Sequence, residues 1–313
     1  MFNYLSLFVP LLLLDSSVVS TEVIPRGEET QIQENYYVSD AMSLLDVYTD
    51  YVDINRIRVF DGGQFFYVST IPGIHMATSF NISELANLSN QGICYFDLSA
   101  SESRFQSAYI NRIINIGTMV FKDFHTTCPM KVDDLHNGAN GSTYIENTNL
   151  KVIEQFSNLG TICLGPKLSL AVENGAPIKT TKGWIKLSPG NIVTVPGDIS
   201  SNFCFPQENG YLEITSSSGS DTITLTNFFG QSNKIFLIDS ENYSSKGSLV
   251  YTDPYLKITL DGKSVYRFNI GKGYASQRFV MIHIDGGYEI FYDYHVDKPS
   301  PCPCDCTMPT YSN

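Results

Sequence analysis

Tyr255-Leu-Lys-Ile-Thr-Leu260 sets Leu256, Ile258 and Leu260 on one face of an extended segment and Tyr255, Lys257 and Thr259 on the other. Side chains alternate across a strand, so this spacing predicts one face on a core and the other in water. Similar short runs recur at Ile57 to Phe60, Phe65 to Thr70, Ile93 to Leu98, Ile114 to Phe121, Leu168 to Val172, Trp184 to Leu187 and Ile192 to Val195. They continue at Tyr211 to Thr215, Thr222 to Leu225, Ile235 to Ile238, Val265 to Ile270, Phe279 to Ile284 and Tyr288 to Tyr294. Gly, Asn, Asp, Ser and Pro clusters separate them, as turns separate strands. Helix signals are few. Ser39-Asp40 could cap a short helix carrying Leu44, Leu45, Val47 and Tyr48, and Ser83-Glu84-Leu85-Ala86 could start a single turn. Parallel neighbours need crossover connections, usually helical. With little helix to supply them, the expected class is an all-β, antiparallel sandwich.

A boundary is expected near Cys128-Pro129, where Val132 to Thr143 turns polar and carries Asn137-Gly138 and Asn140-Gly141. This divides the chain into a β module at 21–127, a second at 128–298 and a Cys/Pro-rich tail at 299–313. Asp61-Gly62-Gly63 and Asp285-Gly286-Gly287 each follow a β run and are read as hairpin turns.

Residues 1–20 read as a secretory signal peptide, with an apolar stretch from Leu5 to Leu14 and small residues, Val18 and Ser20, before Thr21. The stretch is too short to span a bilayer, and no later segment reaches that length. The C-terminal residues are polar, without the hydrophobic tail of a glycolipid anchor, so the mature chain is expected to be released outside the cell. Four Asn-x-Ser sequons, at Asn81, Asn87, Asn140 and Asn242, suit that compartment as glycan acceptors.

Seven cysteines, Cys94, Cys128, Cys163, Cys204, Cys302, Cys304 and Cys306, are read first as disulfide partners of a secreted chain. Cys128, Cys163 and Cys204 are expected to bond within the chain, in pairings that spacing leaves open. The tail Cys302-Pro-Cys304-Asp-Cys306 is expected to be the source of bonds between chains, with metal binding as the lesser alternative.

With 20 Lys+Arg against 32 Asp+Glu, the formal charge is −12, which disfavours nucleic acid and anionic membranes as partners. Charged residues at 17% and aromatics at 12% exclude a disordered chain or a coiled coil. No Gly-x-Ser-x-Gly elbow, His-Glu-x-x-His helix, Walker loop or dinucleotide fingerprint occurs, and Gly271-Lys-Gly273 is too short to cradle phosphate. His75, His125, His136, His283 and His295 share no ligand spacing. His295 lies near Asp293 and Asp297, which is read as a solvated cluster. No cofactor, metal ligand or catalytic residue is assigned.

Tyr51-Val-Asp53-Ile-Asn55-Arg-Ile-Arg-Val59-Phe60-Asp61-Gly62 resembles the CUB superfamily, in which an acidic residue leads into a strand ending in aromatic-Asp-Gly. Asn233-Lys-Ile-Phe-Leu-Ile238-Asp239-Ser240 and the runs that follow it are similar to secreted CUB-like proteins of nematodes. The resemblance implies jelly-roll-like sandwich modules, an extracellular non-enzymatic role and deployment in innate defence or stress. The paired-cysteine spacing of CUB modules is not evident around Asp61, and their calcium constellation is not placed residue by residue, so no metal ligand is claimed from the resemblance.

The expected function is therefore recognition of an extracellular glycan or protein ligand. The alternatives are a secreted hydrolase on a β scaffold and a structural protein linked through the Cys tail.

Overall fold

A computed structural model describes residues 21–23, 35–45, 51–72, 79–101, 107–124, 129–173, 182–196, 199, 201–205, 209–215, 222–238, 247–260, 264–294, 301–304 and 306–309. Consecutive strands along most of the chain do not pair with one another. Ala41–Leu45, Gln64–Val68, Ile93–Asp97, Thr118–Lys122, Ser142–Glu146, Thr161–Leu164, Trp184–Lys186, Asn202–Cys204 and Ile223–Thr226 lie side by side, all parallel, in sheet A. The strands between them in sequence form sheet B, again in parallel. These include Arg56–Val59, Ser79–Asn90, Ser107–Asn115, Met130–Asn137, Leu150–Asn158, Ser169–Val172, Ile192–Val195, Tyr211–Ile214 and Gly230–Ile238. The chain winds as a β-solenoid, each coil giving one strand to each sheet.

This overturns the antiparallel jelly-roll expectation. The alternation of apolar and polar residues is real, since Phe65, Tyr67, Phe96, Phe121, Ile145 and Ile162 from sheet A meet Phe80, Ile110, Val132, Val152 and Leu170 from sheet B in one core. What fails is the argument from missing helices. In a solenoid the crossover between two parallel neighbours of one sheet is a strand of the other sheet, so no helix is needed. The helix proposed after Ser39-Asp40 is strand Ala41–Leu45, and Ser83 to Ala86 lies within strand Ser79–Asn90. The run Ile114 to Phe121 is two strands broken at Ile116-Gly117. Asp61-Gly62-Gly63 turns the chain from sheet B into sheet A. Asp285-Gly286-Gly287 does close a hairpin, Phe279–Ile284 with Gly287–Tyr292. Strands Ser107–Asn115 and Thr118–Lys122 pair directly with Met130–Asn137 and Ser142–Glu146, which lie beyond Cys128 in sequence.

In-register stacking places like on like. Asn90, Asn115, Asn137 and Asn158 are register partners at the end of sheet B, and all four are fully buried. Each amide donates to the next: Asn90 Nδ2 to Asn115 Oδ1 at 2.9 Å, Asn115 to Asn137 at 3.0 Å and Asn137 to Asn158 at 2.9 Å. Each also donates to the main chain of the following coil, at the carbonyls of Thr118, Ser142, Thr161 and Trp184. Two residues past three of these asparagines stands a glycine. A Cβ on Gly117 would lie 2.2 Å from the carbonyl oxygen of Gly92, and one on Gly92 2.1 Å from that of Gly63. The corner closes only because these positions carry no side chain. Inside, Phe96 and Phe121 stack at 5.2 Å with their planes 6° apart.

Both sheets end in antiparallel strands. Ser264–Asn269, Tyr255–Leu260 and Gly247–Thr252 finish sheet A, and the hairpin Phe279–Tyr292 finishes sheet B against Gly230–Ile238. The C-terminal tail then returns over sheet A. Cys302 bonds Cys204 and Cys306 bonds Cys163, so these two tail cysteines join the chain to itself, not to a second chain as expected. Lys186 stands in register between Cys163 and Cys204. The tail therefore crosses three neighbouring strands, about 10 Å, within the reach of four extended residues. Cys306 and Met308 pack on an apolar column of the outer face formed by Val68, Tyr95, Val120, Tyr144 and Cys163.

Replacing Asn115 by Ala removes the acceptor of Asn90 and the donor to Asn137 in a fully buried ladder. The expected loss is about 2–3 kcal/mol in denaturant unfolding, against under about 0.5 kcal/mol for Asn140→Ala on an exposed turn. Equal stabilities would show that the ladder does not hold the coils together.

Peptide mapping without reduction should recover Cys163–Cys306 and Cys204–Cys302 from a single chain. Reduction should lower the melting temperature and raise binding of an apolar dye, as the column under Met308 is uncovered. Tail peptides joined to a second copy would contradict this arrangement.

Tyr67 is fully buried, and burial, reinforced by Tyr36, drives its hydroxyl pKa far above the usual tyrosine range. A pKa raised in the folded state gives stability that is complete below the unfolded value, about 10, and is lost as pH rises beyond it. The melting temperature should hold up to roughly pH 9 and fall above about pH 10. A Tyr67→Phe variant should fall less steeply over the same range.

Candidate functional site

At the C-terminal end of sheet A, strand Ile223–Thr226 buries Ile223 and Leu225 and turns Thr224 and Thr226 outward. Ser264–Asn269 pairs alongside, with Asn269 opposite Thr224. The chain then leaves the sheet through Ile270-Gly271-Lys272-Gly273-Tyr274. Gly271 and Gly273 have φ of 86° and 90°, and nothing lies within 4 Å of a Cβ on either, so the left-handed backbone alone calls for glycine there. Three hydrogen bonds pin the loop. Tyr251 Oη donates to the Gly271 carbonyl at 2.9 Å, Gly271 N to Asn269 Oδ1 at 3.3 Å and Ala275 N to Tyr292 Oη at 3.0 Å.

The loop and the end of the sheet enclose a cleft of about 430 Å³ lined by Thr224, Thr226, Asn227, Asn269, Tyr274, Tyr292 and Tyr294, among others. Two of its lining rings, Tyr274 and Tyr292, belong to an aromatic box. Tyr274 meets Tyr292 edge-on at 4.9 Å, Phe279 lies 4.9 Å from Tyr292, and Tyr251 lies 5.4 Å from Phe279. Tyr294 is different, with 57% of its surface exposed. Its ring carries Arg278 at 5.9 Å and also borders a second cleft, of about 860 Å³, with Tyr211, Gln231, Ser232 and Asp293. Tyr294 thus belongs to the lining of both clefts.

The lining of the first cleft holds one charged side chain, Lys272. Burial, together with Tyr251 and Tyr292, raises the Tyr274 pKa well beyond the usual range. In the second cleft, burial and then Glu289 and Glu213 push Tyr211 up to about 12. These phenols stay neutral at physiological pH. Lys234 is held by Glu289 at 2.8 Å.

A third cleft, of about 320 Å³, lies on sheet B among Arg112, Asp134, His136, Gln155 and Ser157. Serine, histidine and aspartate on adjacent strands invite a hydrolytic reading. The Asp134 carboxylate is instead held by Arg112, at 2.8 Å from Nε and 2.7 Å from the second guanidinium nitrogen. Its negative charge is committed to the guanidinium, whereas a triad would aim it at the imidazole.

Of the proposed glycan acceptors, Asn140 is exposed on the turn before Ser142, while Asn81 and Asn87 are half-buried within strand Ser79–Asn90. Asn242 lies outside the described residues, as do Cys128, His75, His125, His295, Asp297 and residues 1–20. Cys94 faces the core, and burial raises its thiol well above the usual value. Cys304 is half-buried in the tail. His283 is exposed on the edge strand, with its ring 4.9 Å from Tyr288. Among the described residues no group of three or more His, Cys, Asp or Glu side chains converges. No helix there is long and apolar enough to cross a membrane. The cleft residues Asn227, Asn269, Tyr274, Tyr292 and Tyr294 went unmarked in the sequence. The available signal was Gly271-Lys-Gly273-Tyr274, weighed only as a phosphate loop.

The segment Tyr51 to Gly62, on which the CUB resemblance rests, forms strands Tyr51–Ile54 and Arg56–Val59 of a parallel sheet and the corner that follows. Parallel coils are not a CUB jelly-roll, so the resemblance fails, and the defence role it implied falls with it. No curated protein matches the chain. A family described as hyphally regulated cell wall protein, N-terminal, matches residues 8–311. That span is nearly the whole sequence, and the family's proteins lie outside the cell, in the wall. The chain belongs to the family of hyphally regulated cell wall proteins.

Proposed function

We propose that this extracellular protein works by binding, without turnover, and that the C-terminal cleft is its binding site. One observation carries the reading. A preorganised loop and an aromatic box leave Tyr294 exposed between two clefts, where burying the ring in a ligand would be favourable. The loop is already held by its hydrogen bonds, so little ordering is left to oppose association. The polar groups of the first cleft are amides, hydroxyls and one ammonium. They suit orientation of a ligand better than proton transfer at neutral pH. The site lies where the parallel coils end, as suits a protein that meets its ligand at the wall surface.

Arrayed glycans and proteins presented to the purified chain test this. We expect saturable retention, weakened by Tyr294→Ala, with every retained ligand recovered at unchanged mass. A cleaved ligand, formed at a rate that falls with one acidic side chain changed to its amide, would overturn the binding reading in favour of a hydrolase.

A further inference from the structure

Resting on that reading of the cleft, we infer that its ligand is a neutral oligosaccharide lying across Tyr294, with sugar units in both adjoining clefts. Four features select the class.

The Tyr294 ring is 57% exposed with the Arg278 guanidinium 5.9 Å from its centroid, and its apolar surface suits the C–H face of a pyranose. Around it stand both donors and acceptors. Asn227 and Asn269 supply amides and Thr224 and Thr226 hydroxyls on one side; Ser232 and the Gln231 amide, which donates to the Asp293 carboxylate, stand on the other. A polyhydroxylated ligand can use both capacities, whereas an aliphatic one would strip these groups of water without return.

Charge argues against ionic ligands. The first cleft carries Lys272 alone, Lys234 is neutralised by Glu289, Arg278 is turned onto the Tyr294 ring at 5.9 Å, and Asp293 together with a formal net charge of −12 works against sulfated, phosphorylated or uronic chains. A basic peptide would want several carboxylates, and the two linings hold one, on Asp293.

Extent gives the length. Clefts of about 430 and 860 Å³ share Tyr294 in their linings. A single sugar would occupy only one of them. An oligomer stacked through an internal unit on Tyr294 would reach both.

The test is calorimetric titration of the full mature chain with three probes: a neutral linear hexose hexasaccharide, its disaccharide and an oligo-lysine peptide. We expect the hexasaccharide to bind more tightly than the disaccharide, with an affinity unaffected by salt. Tyr294→Ala should weaken it by about tenfold, and Tyr294→Phe should keep it. Because Tyr294 is exposed, the Ala variant should melt with the parent, and circular dichroism of both checks this. Saccharide binding that ignores Tyr294→Ala would overturn the site. Tyr294-dependent binding of oligo-lysine alone would overturn the ligand class and leave the binding reading standing. Tyr294-independence of every probe, arrayed proteins included, would sink both.

Discussion

From Gly63 to Asn158 the coils are held together at a corner where the chain passes within touching distance of itself. There the Gly63–Gly92–Gly117 column lets successive carbonyls approach, and the asparagine ladder beside it satisfies buried amides coil by coil. The two devices depend on each other. The close approach brings Asn115 within 3.1 Å of the Ser142 carbonyl, and the amide bonds hold the approach in place. Sheet pairing alone fixes the spacing between strands. The ladder fixes which residue sits over which, because a slip by one position would leave four buried amides without partners. The aromatic column follows from the same register, with Phe96 over Phe121 as a consequence.

Much of this was present in the sequence in a form that strand-by-strand reading does not use. The alternation at Tyr255–Leu260 correctly predicts a strand with one buried face, Leu256, Ile258 and Leu260 inside. Alternation is a local property, shared by any sheet with one wet side, and does not say whether the neighbour runs parallel. The evidence for winding lies at longer range, in Asn90-Gln-Gly92, Asn115-Ile-Gly117 and Asn158-Leu-Gly160, the first two one coil apart and the third two coils further on, past Asn137. Taken singly these tripeptides are ordinary turns. The same holds for Asp61-Gly62-Gly63 and Asp285-Gly286-Gly287, alike as sequence, which turn the chain between sheets in one case and back along the same sheet in the other. Nothing within three residues separates them; their partners do.

The cleft was less legible than the fold. Its residues come from four elements between Thr224 and Tyr294, brought together where the parallel winding stops and antiparallel strands begin. The concavity lies at that change of direction. The cysteine tail shows the opposite situation. Its i, i+4 pair, Cys302 and Cys306, is matched to two strands separated by one in the sheet, a relation visible only after the register is known.

The bond from Cys163 to Cys306 has a mechanical meaning. It closes a covalent ring around residues 164–305, a separation of 143 along the chain. A pull applied between the two ends of the protein passes from Cys163 straight across sulfur to Cys306, and the ring carries no tension. The first coils would stretch and unwind under such a load. The later coils, the antiparallel end strands and the cleft around Tyr294 lie off the line of force and would keep their shape until a covalent bond broke.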